Sequence, residues 1–165
     1  MTDTQPKSRC SILFVCTGNI CRSAGAEGIL RHHLKERGLW ERVHLDSCGT
    51  SDYHTGEHST PMGLALSSKR GYDYSDLSAR QLRESDFEDF DLILAMAGNH
   101  LTKLKARCPS EHQHKLNLYG EFCAGPFKGD SVNDPYYGGA ADYEEMFDRL
   151  ESATENLIRW IEARS

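Results

Sequence analysis

Short unbroken apolar runs alternate along the chain with apolar residues spaced three and four apart, the patterns of buried strands and of amphipathic helices. The first run, CSILFV from Cys10 to Val15, follows a polar leader at residues 1–9 and predicts a strand buried on both faces. From Ser23 to about Arg37, the residues Ala26, Ile29, Leu30 and Leu34 fall on one face of a helix that Gly38 should stop. A second strand is expected at 43–47, then a polar loop at 49–60, then a helix from Pro61 to Arg70 stopped by Gly71. Further strands are expected at 91–96 and 115–119, with a helix from Gly98 to about Arg107 between them. Residues 120–139 are rich in glycine and proline, and a loop of that length is more often functional than idle. Tyr143, Met146, Phe147, Leu150, Leu157 and Ile161 mark one long amphipathic C-terminal helix.

Strands and helices in alternation predict a single-domain α/β fold, a four-stranded parallel twisted sheet with helices on both faces, Rossmann-like in type. The 165 residues suffice for one such domain, over 10–165, with a core that needs no staple. In open parallel sheets the site lies beyond the carboxyl ends of the strands, which directs attention to the loops after Val15, Ser47, Met96 and Tyr119. A net charge of -6, from 25 acidic against 19 basic residues, argues against a nucleic-acid partner. No segment has the length of a membrane span or a signal core, so a cytoplasmic protein is expected. Six cysteines without a CxxC pair suggest neither a zinc knuckle nor a disulfide scaffold.

The chemistry concentrates in CTGNICRS, Cys16 to Ser23, which joins the first strand to the first helix. Gly18 and Asn19 supply positions for positive φ, and the amides of Thr17, Gly18, Asn19, Ile20, Cys21 and Arg22 can curl into a nest at a helix N-terminus, a cradle for a tetrahedral anion. At its base Cys16 would meet the amides, the helix dipole and Arg22, each favouring thiolate over thiol. Arg22 can fork onto two phosphoryl oxygens, and Ser23 can donate to the sulfur. A phosphate ester also needs an acid for its leaving oxygen, and Asp134, held extended before Pro135 in the long loop, is the candidate. Tyr53, Tyr136 and Tyr137 could wall a slot for a flat ring. The eight histidines are expected to be solvated surface residues, because the adjacent pair His32 and His33 diverges on a helix.

VCTGNICRS from Val15, DLILAM from Asp91 and DPYYG from Asp134 resemble the low-molecular-weight protein tyrosine phosphatases, and the similarity covers nearly the whole chain. The resemblance implies a fold of that phosphatase type and a cofactor-free, metal-free hydrolase acting through a phosphocysteine. Cys16 would be the nucleophile, Arg22 the phosphate clamp and Asp134 the general acid and then base. It implies phosphotyrosine proteins as partners, inhibition by inorganic phosphate and similar oxyanions, no membrane, and a monomer with at most weak self-association. It also implies that Cys21 pairs reversibly with Cys16, protecting it from deeper oxidation.

Four positions depart from the family's usual pattern. Ala24 and Gly25 replace a common proline and a larger residue, implying a looser helix start. Leu77 stands where a histidine often helps anchor the loop asparagine, leaving Ser23 and Ser47 to hold Asn19. Ala97 stands where an aspartate is usual. None touches nucleophile, clamp or acid, and activity is expected to persist. Rival readings are a protein arginine phosphatase of the same family, which Ile20 before Cys21 disfavours, and an arsenate reductase, for which Cys108 and Cys123 are poorly spaced. A phosphoprotein-binding module that does not cleave, and a metal-dependent hydrolase, complete the alternatives.

Overall fold

The computed structural model describes residues 9–164, and of the leader at 1–9 only Arg9 lies within them. Four strands, β1 (Cys10–Cys16), β2 (Val43–Gly49), β3 (Leu92–Ala95) and β4 (Leu116–Leu118), form one parallel sheet in the order β2-β1-β3-β4. The helices are α1 (Arg22–Glu36), α2 (Pro61–Lys69), α3 (Asp86–Asp89), α4 (Gly98–Arg107), α5 (Ala140–Ser152) and α6 (Thr154–Glu162). The expected α/β class is the observed one. All seven residues of β1 are buried because its alternate side chains serve two cores. Ile12, Phe14 and Cys16 join α1, α5 and α6 on one face, while Leu13 and Val15 join Phe87 and Leu104 on the other.

The chain leaves β1 toward β2 on one side, and leaves the neighbouring β3 toward β4 on the other. The crevice opened by such a reversal lies beyond the carboxyl end of β1, where Cys16 stands. Gly38 and Gly71 end α1 and α2 with φ of 72° and 95°, as their positions suggested. At the start of α2, Pro61 follows Thr60, whose hydroxyl accepts the Gly63 N–H. α1 is helical from Arg22, and both Ala24 and Gly25 are buried in it.

Three expectations need correction. The C-terminal stripe belongs to two helices, α5 and α6, which part at Ala153. The buried Tyr119 hydroxyl donates to the Leu150 carbonyl at 2.7 Å, and Ala153 N–H bonds the same carbonyl three residues back, which tightens that turn. The periodicity crosses the break because both helices turn their apolar faces to one core. The short α3 lies where no helix was expected, being only one turn long. Gly18 does not have positive φ: Asn19 alone in that loop does, at 60°, whereas Gly18 gives room to the His54 ring, 2.9 Å from where a Cβ would sit.

Gly28 in α1 sets two effects against each other. Alanine is the better helix former by about 1 kcal/mol. Its Cβ, however, would lie 2.6 Å from Cδ1 and 2.7 Å from Cβ and Cγ of the buried Tyr74, which has nowhere to retreat. Overpacking of this kind costs about 1–3 kcal/mol, so Gly28→Ala is expected to lower the urea midpoint. A midpoint at or above wild type would show that Tyr74 yields.

Candidate active site

Asn19 reverses the chain after β1, and its amide N–H comes back to Cys16 Sγ at 3.3 Å. The left-handed backbone this requires costs about 1–2 kcal/mol for a residue with a Cβ. The Asn19 side chain offsets that cost with bonds in three directions. Its Nδ2 donates to Ser23 Oγ at 2.8 Å and to Ser47 Oγ at 3.0 Å, while its Oδ1 accepts the Arg80 backbone N–H at 3.0 Å. Ser23 Oγ lies 3.0 Å from Cys16 Sγ, within reach of the sulfur. Arg80 is itself clamped, its guanidinium held by Asp46 and by both carboxylate oxygens of the buried Asp86. Gly49 adds a steric condition: a Cβ there would lie 2.4 Å from the Thr17 carbonyl oxygen.

Behind this loop the chain continues to a carboxylate. Ser47 Oγ donates to Glu27 Oε1 at 2.7 Å, and Glu27 is buried in α1. Burial pushes the Glu27 carboxyl up to about 7, against the downward pull of the Ser47 bond. Leu77, by contrast, packs partly buried against the apolar core.

Arg22 opens α1 and is nearly sealed from solvent. Its Nη1 donates to the Val132 carbonyl at 3.0 Å, and its Nη2 stands 3.5 Å from Asp134 Oδ2. Asp134 accepts the Tyr136 N–H at 3.0 Å through Oδ1, while its side chain remains 47% exposed and open to proton exchange with water. Cys21 is a buried thiol 3.7 Å from Tyr143 Oη, and burial pushes it up to about 11. Cys16 and Cys21 are both free thiols.

A cavity of about 330 Å³ opens over this ground. Cys16, Thr17, Gly18, Ile20, Cys21 and Arg22 form its floor, and Ser51, Tyr53, His54, Asp134, Tyr136 and Tyr137 its walls. The volume suits a side chain bearing one tetrahedral group rather than a large cofactor. Four rings run along the wall, with centroids 4.7 Å apart for Tyr53 and His54, 5.6 Å for His54 and Tyr136, and 4.8 Å for Tyr136 and Tyr137. Tyr53 and Tyr137 are largely exposed at the rim. Among the described residues, no three His, Cys, Asp or Glu side chains are grouped to hold a metal ion.

The structure thus brings together every residue singled out from the sequence, from Cys16 to Ser23 with Ser47, Tyr53, Asp134, Tyr136 and Tyr137. Sequence reasoning missed His54, Glu27, the Arg80 amide and His100. His54 adjoins Tyr53 and could have been suspected from that. His100 corrects the expectation of surface histidines: it is fully buried, and its Nε2 lies 2.8 Å from Thr17 Oγ1. Its place in the first turn after the third strand, at the same sheet edge, was the available signal.

Glu27 generates a pH prediction. Its carboxyl rises from an ordinary value of 4.5 to about 7 on folding, so the folded state holds the proton more tightly. Its stabilising contribution is full below 4.5 and is lost as pH rises through 7, a change of at most about 3 kcal/mol. Glu27→Gln removes this dependence. The difference in melting temperature between variant and wild type is expected to shift in the variant's favour from pH 4.5 to 8, and a pH-independent difference would overturn it.

Comparison with known proteins agrees with this geometry. The family model for low molecular weight phosphotyrosine protein phosphatase matches residues 11–165. The low molecular weight phosphotyrosine protein phosphatase of Schizosaccharomyces pombe is 38% identical over 151 residues, covering 91% of this chain and 96% of its own. The low molecular weight protein-tyrosine-phosphatase of Streptomyces coelicolor is 38% identical over 149 residues, covering 89% of this chain and 90% of its own. A crystal structure of protein tyrosine phosphatase from Entamoeba histolytica, with Hepes in the active site, superposes with a TM-score of 0.88 at 37% identity. It covers 93% of this chain and 97% of that one. With sequence and fold matching over nearly its whole length, this chain belongs to the low molecular weight phosphotyrosine protein phosphatase family.

Proposed function

We propose that this chain hydrolyses phosphotyrosine in proteins by two-step phosphoryl transfer through a phosphocysteine at Cys16. The observation that carries the reading is the meeting in one ring-walled cavity of the Cys16 sulfur, the Arg22 guanidinium and the Asp134 carboxyl. The Hepes seated in the Entamoeba enzyme carries a sulfonate, a tetrahedral anion of the kind such a loop would accept.

In the first step the Cys16 thiolate attacks phosphorus in line, forming a P–S bond as the bond to the phenolic oxygen breaks. Asp134 gives its proton to that oxygen, and tyrosine leaves neutral. Arg22 and the loop amides carry the charge on the equatorial oxygens. In the second step Asp134, now ionised, takes a proton from water as the water attacks phosphorus. The P–S bond breaks, inorganic phosphate is released, and the returning thiolate is met by the Asn19 N–H and the Ser23 hydroxyl, 3.3 Å and 3.0 Å from Sγ. The exposure of Asp134 lets it exchange protons between turnovers. Released phosphate competes for the same cradle, so product and similar oxyanions act as inhibitors.

Hydrolysis of an aryl phosphate in the presence of chelator, with phosphotyrosine and phosphoarginine peptides alongside, tests this directly. Wild-type turnover should survive chelator, and Cys16→Ser should abolish it. Asp134→Ala should lower kcat by about 100-fold, in the range of a lost general acid. Arg22→Lys should fail to restore the fork onto phosphate. Turnover that survives in Cys16→Ser would overturn the mechanism, and preference for phosphoarginine would overturn the substrate.

A further inference from the structure

His100 lies in the first turn of α4, wholly shielded from solvent, with both ring nitrogens engaged. Its Nδ1 accepts the Ala97 backbone N–H at 3.1 Å, which only an unprotonated ring nitrogen can do. The proton of the neutral ring is therefore on Nε2, which donates to Thr17 Oγ1 at 2.8 Å. Burial, with Arg22 nearby, pushes the ring down to about 4, so this neutral tautomer persists across the physiological range.

Thr17 is the residue directly after the nucleophile, and its carbonyl accepts the Ser51 N–H at 3.0 Å. The bond to His100 tethers its side chain from the opposite quarter of the fold. The same turn of α4 fastens the loop that bears Asp134. Met96 carbonyl accepts the Val132 N–H at 2.8 Å, Gly98 N–H donates to Ser131 Oγ at 3.1 Å, and the Val132 carbonyl takes the Arg22 guanidinium. One short stretch, Met96 to His100, therefore touches the nucleophile loop through Thr17 and the acid loop through Ser131 and Val132.

We propose that His100 is a positioning residue for phosphoryl transfer, its Nε2–H holding Thr17 and hence the nucleophile loop in register with Arg22 and the acid loop. The inference rests on the reading of Cys16 as nucleophile. A histidine serves here because it spans the backbone of its own helix and the threonine with two opposed nitrogens on a rigid ring. Substrate is not touched by His100, and the effect passes through Thr17.

Thr17→Val, nearly isosteric, removes the acceptor, and His100→Leu removes the donor. Each is expected to lower kcat/KM by about tenfold, as a displaced catalytic loop would. Each should also raise the inhibition constant of inorganic phosphate and slow the alkylation of Cys16 by iodoacetate, all measured well below the melting temperature. The double variant should be no slower than either single one, because both delete the same bond. His100→Gln, whose amide nitrogen reaches the place of Nε2, should recover most of the loss. Singles that melt earlier but keep wild-type kcat/KM, phosphate inhibition and alkylation rate would overturn the proposal, as would losses that multiply in the double variant. Turnover persisting in Cys16→Ser would instead overturn the nucleophile assignment, and this inference with it.

Discussion

The left-handed turn at Asn19 is the constraint on which the site depends, because it brings the chain back over Cys16 before α1 begins. Backbone strain of this kind persists only where the surroundings over-determine it. Here they do so with polar groups drawn from several parts of the chain: Ser23 at the start of α1, Ser47 in β2, and the amide of Arg80 beyond α2. The bonds to Ser23 and Ser47 are buried and the one from Arg80 partly so, and losing a buried one leaves an unsatisfied partner as well as a looser loop. The two glycines beside the turn act by subtraction, Gly49 admitting the Thr17 carbonyl and Gly18 the His54 ring.

That arrangement carries an electrostatic cost. Glu27 closes the chain of hydrogen bonds behind Ser47, and its desolvation is what raises its carboxyl toward neutrality. Arg31, one helical turn on from Glu27, draws the carboxyl down, but its guanidinium is committed to Asp76 and does not offset the burial. Leu77 packs against the core and brings no charge. Stability near pH 7 is thereby given up at Glu27 to hold Ser47, and through it Asn19, in one orientation. A buried polar network rigidifies only while all its members are satisfied, which ties the loop geometry to the titration of Glu27.

What could be read from the sequence follows from how local each signal was. β1, α1 and the loop between them are contiguous, so apolar runs, a helical stripe and CTGNICRS sufficed to bring Cys16, Arg22 and Ser23 together. Asp134 was legible because Pro135 and the glycines around it mark a long loop at the known edge of the sheet. Contacts across the chain were not legible. The Arg80 amide has no side-chain signature, Glu27 reads as an ordinary helix carboxylate, and His100 reads as one more polar residue on an amphipathic helix. The break at Ala153 escaped for the same reason: the Tyr119 hydroxyl that takes the Leu150 carbonyl comes from 31 residues away.

The depth of the thiol bears on which phosphate esters the proposed reaction admits. Cys16 is 2% exposed, at the bottom of a cavity whose upper wall is built of rings. A phosphoryl group that reaches it does so past the rings of Tyr53, His54 and Tyr136, which line the same cavity. A phosphotyrosine ring is rigid and able to meet the wall by offset or edge contact worth about 0.5–1.5 kcal/mol per ring pair. A phosphoserine has no ring to set against that wall and leaves it uncovered. Selection for aryl esters then needs no polar contact to the leaving group beyond Asp134. It follows from putting a buried nucleophile beneath a wall of exposed tyrosines, which is itself the consequence of a strand ending in Cys16 and a chain that turns back at Asn19.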